Sequence, residues 1–106
     1  MPLILGEAEI AALLEWDELI PLMRRTLAAF SSGGVTQPVR TALPIAGHDT
    51  VCYVMPGHVV ANAALAIKVV TVAHGNAARG LPSHLATLLL IEPGTGELLA
   101  LMDARL

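Results

Sequence analysis

The sequence predicts an α+β domain: a mostly antiparallel or mixed β-sheet of about five strands with two N-terminal helices packed on it. Two stretches within the first 30 residues repeat their apolar positions at helical spacing. After residue 38 the apolar runs shorten, become richer in β-branched residues and are cut by proline and glycine. Two of these runs, 65–72 and 85–91, are aliphatic on both parities, as in strands covered on both faces.

The first helix is expected at residues 7–14, where Ile10, Leu13 and Leu14 share a side and Glu7 and Glu9 occupy the turn that the helix dipole favours for acids. A longer helix at 17–30 carries Leu19, Ile20, Met23, Leu27 and Phe30 on one stripe. Asp17 suits its N-cap, Pro21 is tolerable near the first turn, and Ser31-Ser32-Gly33-Gly34 ends it. Arg24 and Arg25 read as a solvated face.

The first strand, 39–45, is bracketed by Pro38 and Pro44, which suits a sheet edge, and it carries Arg40. Gly47-His48-Asp49 turns the chain into a partner strand at 50–55, which Pro56-Gly57 ends. The sheet centre is then 65–72, 85–91 and 97–102, with Pro93-Gly94-Thr95-Gly96 as the turn between the last two.

The 106 residues form one domain, 1–106, with no internal repeat or linker. Apolar residues make up 55% and charged residues only 14%, against about 25% in ordinary soluble domains. Mean hydropathy is +0.67. Such a chain has more apolar surface than it can hide alone, so another copy or another domain should cover part of it; a homodimer is expected. Lys68 interrupts the run nearest to a membrane span, and the first five residues lack a basic start, so neither a membrane helix nor a signal peptide is expected and the chain reads as cytoplasmic. A net charge of −3 and single Trp, Tyr and Phe residues argue against nucleic acid. Cys52 reads as a half-buried thiol. His48 and His58 read as polar turn residues, and the spacing of His74 and His84 fits no common metal signature. Neither a glycine-rich phosphate loop nor G-x-S-x-G occurs.

Lys68 is the informative residue. An ammonium between Ile67 and Val69 in a buried strand either loses its proton or meets an anion. Arg40, from another strand, cannot lose its charge, and two cations beside an apolar pocket suit a small carboxylate. An ion pair of Lys68 with an internal acid, Asp103 or Glu92, explains the spacing equally well. The loop 74–84 gathers His74, Asn76, Arg79, Ser83 and His84 between two central strands and is the place for further functional groups.

The segments GGVTQPVRT (33–41), YVMPG (53–57), LAIKVVTV (65–72) and NAARGLPSHLATLLLIEPGTGELLALMD (76–103) resemble the N-terminal part of the ornithine cyclodeaminase and mu-crystallin family. The resemblance spans essentially the whole chain. It implies an NAD(P)-dependent oxidoreductase or lyase of amino acid metabolism acting on C–N bonds of small amino or cyclic imino acids, by ornithine cyclodeamination or ketimine reduction. It implies that Arg40 and Lys68 hold the substrate carboxylate, that Lys68 assists proton transfer at the imino carbon, and that Met55 lines the pocket. Ser83 and His84 correspond to positions touching the nicotinamide end of NAD or NADP. In the family a further arginine-bearing helix, a Rossmann domain with its glycine-rich loop and the catalytic aspartate follow the segment matched here. The expectation is therefore a truncated substrate-binding and dimerisation part that neither binds NAD(P)H tightly nor turns over by itself. A non-enzymatic oligomerisation or ligand-binding module, or an inactive fragment, is the alternative.

Overall fold

A computed structural model describes residues 2–105. Its elements in chain order are β1 (Leu3–Leu5), α1 (Glu7–Leu13), α2 (Trp16–Ser31), β2 (Val35–Thr36), β3 (Thr41–Pro44), β4 (Thr50–Val59), β5 (Ala64–Ala73), a 3-10 helix (His74–Arg79), β6 (His84–Ile91) and β7 (Leu98–Asp103). The α+β class holds, but the sheet has seven strands rather than about five. The additional strands, β1 and β2, are three and two residues long, too short to show a period of two.

The sheet order is β1-β7-β6-β5-β4-β2, with β3 also pairing β4. All pairings are antiparallel except that of β1 with β7. β3 lies against residues 51–54 of β4 and β2 against residues 58–59, both on the edge of β4 away from β5. That arrangement explains why Pro56-Gly57 does not end β4 as expected. Pro56 falls in the gap between the two short edge strands, where the outer edge of β4 has no ladder to interrupt. The alanine-rich stretch after Val59 is a tight turn, closed by Ala63 N–H donating to the Val60 carbonyl at 3.2 Å.

The N-cap of α2 is Glu15 rather than Asp17. Its end is a Schellman closure, with Gly34 N–H donating to the Ala29 carbonyl at 2.8 Å and Gly33 N–H to Phe30 at 3.3 Å. Gly33 adopts φ +83°, a backbone that favours glycine. Gly34 in turn accepts from Val60 N–H at 3.0 Å, which sets the helix beside the β4–β5 turn.

Both helices contact the sheet at its margins, α1 along β7 and α2 along β2, and neither contains a buried residue. The stripe predicted for α2 is largely bare, with Ile20 54%, Met23 48%, Leu27 63% and Phe30 53% exposed. Within the sheet only Val70 and Ala100 are buried. The strand 65–72 is thus not covered on both faces by this chain. The molecule exposes 7522 Å², against about 5,700 Å² for a folded monomer of this mass. Its radius of gyration is 15.4 Å, where roughly 13 Å is usual for the length. The apolar excess read from composition is therefore real surface. No helix of the described residues is long and apolar enough to cross a membrane.

Candidate carboxylate site

Residues directly opposite across a ladder share one face of a sheet. Lys68 in β5 is opposite Met55 in β4 and Leu88 in β6, and Leu88 is opposite Met102 in β7. β3 begins at Thr41, one residue after Arg40, so Arg40 is not part of the strand expected at 39–45. Continuing the register from the Thr41–Val54 pair by one step sets Arg40 opposite Met55. The paired row reads Met55, Lys68, Leu88, and Arg40 falls beside Met55 only by extending the ladder that one step. The neighbouring rows are mostly small, Ala42, Val70 and Ala86 around the one large side chain Tyr53 on one side, Gly57, Ala66 and Leu90 on the other. No carboxylate occurs at any paired position on this face.

Sequence spacing left open a pairing of Lys68 with Asp103 or Glu92; the fold removes it. Asp103 belongs to the opposite face, in the row of Val54, Val69 and Thr87. It is taken by Arg105, whose Nη2 is 2.7 Å from Asp103 Oδ2. The Arg105 guanidinium beside it holds the Asp103 carboxyl below the usual carboxylate range. Glu92 Oε1 accepts from Gly94 N–H at 3.0 Å inside the β6–β7 turn. Lys68 is exposed and has no ion-pair partner among the described residues. Arg40 is also exposed and makes no hydrogen bond or ion pair among them; its guanidinium carbon lies 4.3 Å from the centroid of the Tyr53 ring. Both cations are thus unneutralised, on open surface. A hollow of about 300 Å³ between α2 and the β4–β5 turn, lined in part by Leu22, Arg25, Val59 and Asn62, contains neither of them.

His84 opens β6 and Ser83 immediately precedes it; the Ser83 hydroxyl and His84 Nδ1 are 2.9 Å apart. His84, opposite Val72, is on the face of Lys68, two rows and roughly 14 Å along the strand. Asn76, 7% exposed, fixes the loop that delivers them. Its Nδ2 donates to the Pro82 carbonyl at 2.9 Å, its Oδ1 accepts from Arg79 Nη1 at 3.2 Å, and its own carbonyl accepts from Leu81 N–H at 3.0 Å. Ala73 N–H then donates to the Ser83 carbonyl at 2.8 Å, tying the loop end to β5. The fold pairs Met55 with Lys68, sets Arg40 over the Tyr53 ring two residues away on β4, and leaves His84 at the far end of the same face, with Ser83 just before it. Tyr53 was not identified from sequence; its only signal was its parity, two residues from Met55. Among the described residues no three His, Cys, Asp or Glu side chains are placed to hold a metal ion.

The sequence pattern of the ornithine cyclodeaminase/mu-crystallin family matches residues 1–106. The chain belongs to this family. It is 47% identical over 88 residues to ketimine reductase mu-crystallin of Rattus norvegicus, a match covering 80% of this chain and 28% of that protein. The fold of Thermococcus litoralis Delta(1)-pyrroline-2-carboxylate reductase, solved in complex with NADH and L-proline, superposes with a TM-score of 0.92 at 34% identity, covering 97% of this chain and 32% of that one. An archaeal alanine dehydrogenase dimer with bound NAD gives a TM-score of 0.88 at 29% identity, covering 97% and 31%. The chain spans less than a third of the length of these relatives.

Proposed function

We propose that residues 1–106 are a single domain that supplies the substrate carboxylate site and a dimer interface of an NAD(P)-dependent oxidoreductase acting on C–N bonds of small amino or cyclic imino acids. One arrangement carries the reading: Lys68 is opposite Met55 on a sheet face with no acid at any paired position, and Arg40, one residue before the β3–β4 ladder, falls beside Met55 when that register is continued. Two unneutralised cations so placed attract an anion with two oxygens, and Arg40 offers a planar fork suited to a carboxylate. Met55 gives the apolar contact between them. Low neighbours such as Gly57, Ala66 and Ala86 leave room for a small ring. Lys68, an ammonium at the site, also assists proton transfer at the C=N group of the substrate.

Ser83 and His84 fit the nicotinamide end of a dinucleotide, because a hydroxyl and an imidazole side by side offer the donor and acceptor that a carboxamide needs. The chain has no glycine-rich phosphate turn, so the rest of the dinucleotide is held elsewhere. When bound, the cofactor supplies or accepts the hydride. The chain alone is expected neither to bind NAD(P)H tightly nor to catalyse turnover.

A second copy covers the opposite sheet face, where Val54, Ile67, Val69, Leu89 and Leu101 are aliphatic. The surface excess over a normal monomer, roughly 1,800 Å², is what one partner of an obligate dimer buries. Titration with L-proline tests the site: Arg40→Ala and Lys68→Ala should each weaken binding by about 1.5–3 kcal/mol. Unchanged affinity in both variants contradicts the proposal.

A further inference from the structure

We infer that Tyr53 is a positioning residue for the carboxylate site, holding the Arg40 guanidinium flat so that its donor edge is left free for the ligand. The inference rests on the site proposed above but adds a residue and a mechanism to it. Arg40 precedes β3, so the sheet ladder does not anchor it, and it makes no hydrogen bond or ion pair among the described residues. A long side chain in that condition samples many rotamers, and each ligand it binds must first order it. The Arg40 guanidinium carbon does lie over the Tyr53 ring, 4.3 Å from the centroid.

The register explains why this ring is available. Tyr53 is two residues from Met55 on the same face and is flanked by Ala42 in β3 and Val70 in β5. Neither neighbour is large enough to cover the upper surface of the ring. Stacking uses the flat face of a guanidinium and leaves its N–H groups pointing outward in the plane, the geometry for forked bonding to a carboxylate. The phenol hydroxyl takes no part, so the ring rather than the oxygen is the working group.

The test is a double-mutant cycle on the 106-residue chain, read by NMR titration with L-proline. Tyr53→Leu should weaken binding about two- to fivefold, the worth of an exposed cation–π contact. Tyr53→Phe should bind like the parent, and Tyr53→Leu should have no further effect in an Arg40→Ala background. If Arg40→Ala and Lys68→Ala weaken binding while Tyr53→Leu does not, or if its loss persists without Arg40, the positioning role is overturned and the site stands. If neither cation variant weakens binding, or the parent does not bind, the site itself falls and this inference with it. A measurement independent of any variant's folding is the Arg40 side-chain spectrum of the unliganded parent. Protons of the Arg40 Cδ and Nε groups should be shifted upfield by the ring, and random-coil positions overturn the stacking.

Discussion

Arg105 joins Asp103 through two guanidinium nitrogens, Nε at 2.9 Å and Nη2 at 2.7 Å from Asp103 Oδ2, while Nε also lies 3.1 Å from Glu7 Oε2. One arginine thus links the end of β7 to the first turn of α1, a helix that makes little other contact with the sheet. The consequence is a pH-dependent attachment. The Asp103 carboxyl is held low chiefly by its side-chain bond to Arg105, so the stabilisation is present above the carboxyl's unfolded pKa and is lost as pH falls through the lowered folded value.

Arg105→Gln should therefore lower the thermal midpoint at neutral pH, with the difference from the parent shrinking below the ordinary Asp range near about pH 4. Paired thermal melts across that range check it. A difference that stays constant with pH would show that the ion pair is not the cause.

Asn76→Ala removes a buried amide that satisfies the Pro82 carbonyl and receives Arg79. It should cost about 1–3 kcal/mol of stability in a chemical denaturation series. Amide exchange at Ser83 and His84 should speed up more than at Val54 or Val69, since only the former depend on the loop. Gly80, at φ +72° where the 3-10 helix ends, should tolerate alanine poorly for backbone reasons alone, because no atom lies within 4 Å of where the Cβ would be.

The aliphatic face predicts self-association. The parent should sediment as a dimer, and Val54→Lys, at a position already 37% exposed and so compatible with the fold, should shift it toward monomer. Sedimentation velocity over a dilution series reads this directly. Equal sedimentation of parent and variant would place the interface elsewhere.

The fold class and the five longer strands were legible because their hydrophobic runs and turn residues are local signals. The short strands were not, since two or three residues carry no period and their pairing is fixed only by β4 and β7. Lys68 was legible as an oddity: a cation in an aliphatic run stands out in any sequence. Burial on both faces is not met by this chain; what sets Lys68 apart is that no acid occurs at a paired position of its face. Arg40 was legible as a cation near a strand, but its row depended on register, and Tyr53 became visible only when register put it under the guanidinium. The α2 helix was legible from its period, but its apolar stripe is largely exposed rather than packed on the sheet. What covers it was beyond a single chain's pattern, because periodicity reports an apolar face and not its partner.

The most direct test of the carboxylate site compares L-proline with L-prolinamide, which keeps the ring and loses the carboxylate, in calorimetric titrations of the parent and of Lys68→Met. The account predicts that the acid binds the parent, that the amide does not, and that the distinction largely disappears when Lys68 becomes methionine. Equal binding of acid and amide by the parent, or full retention of the preference in Lys68→Met, would contradict it.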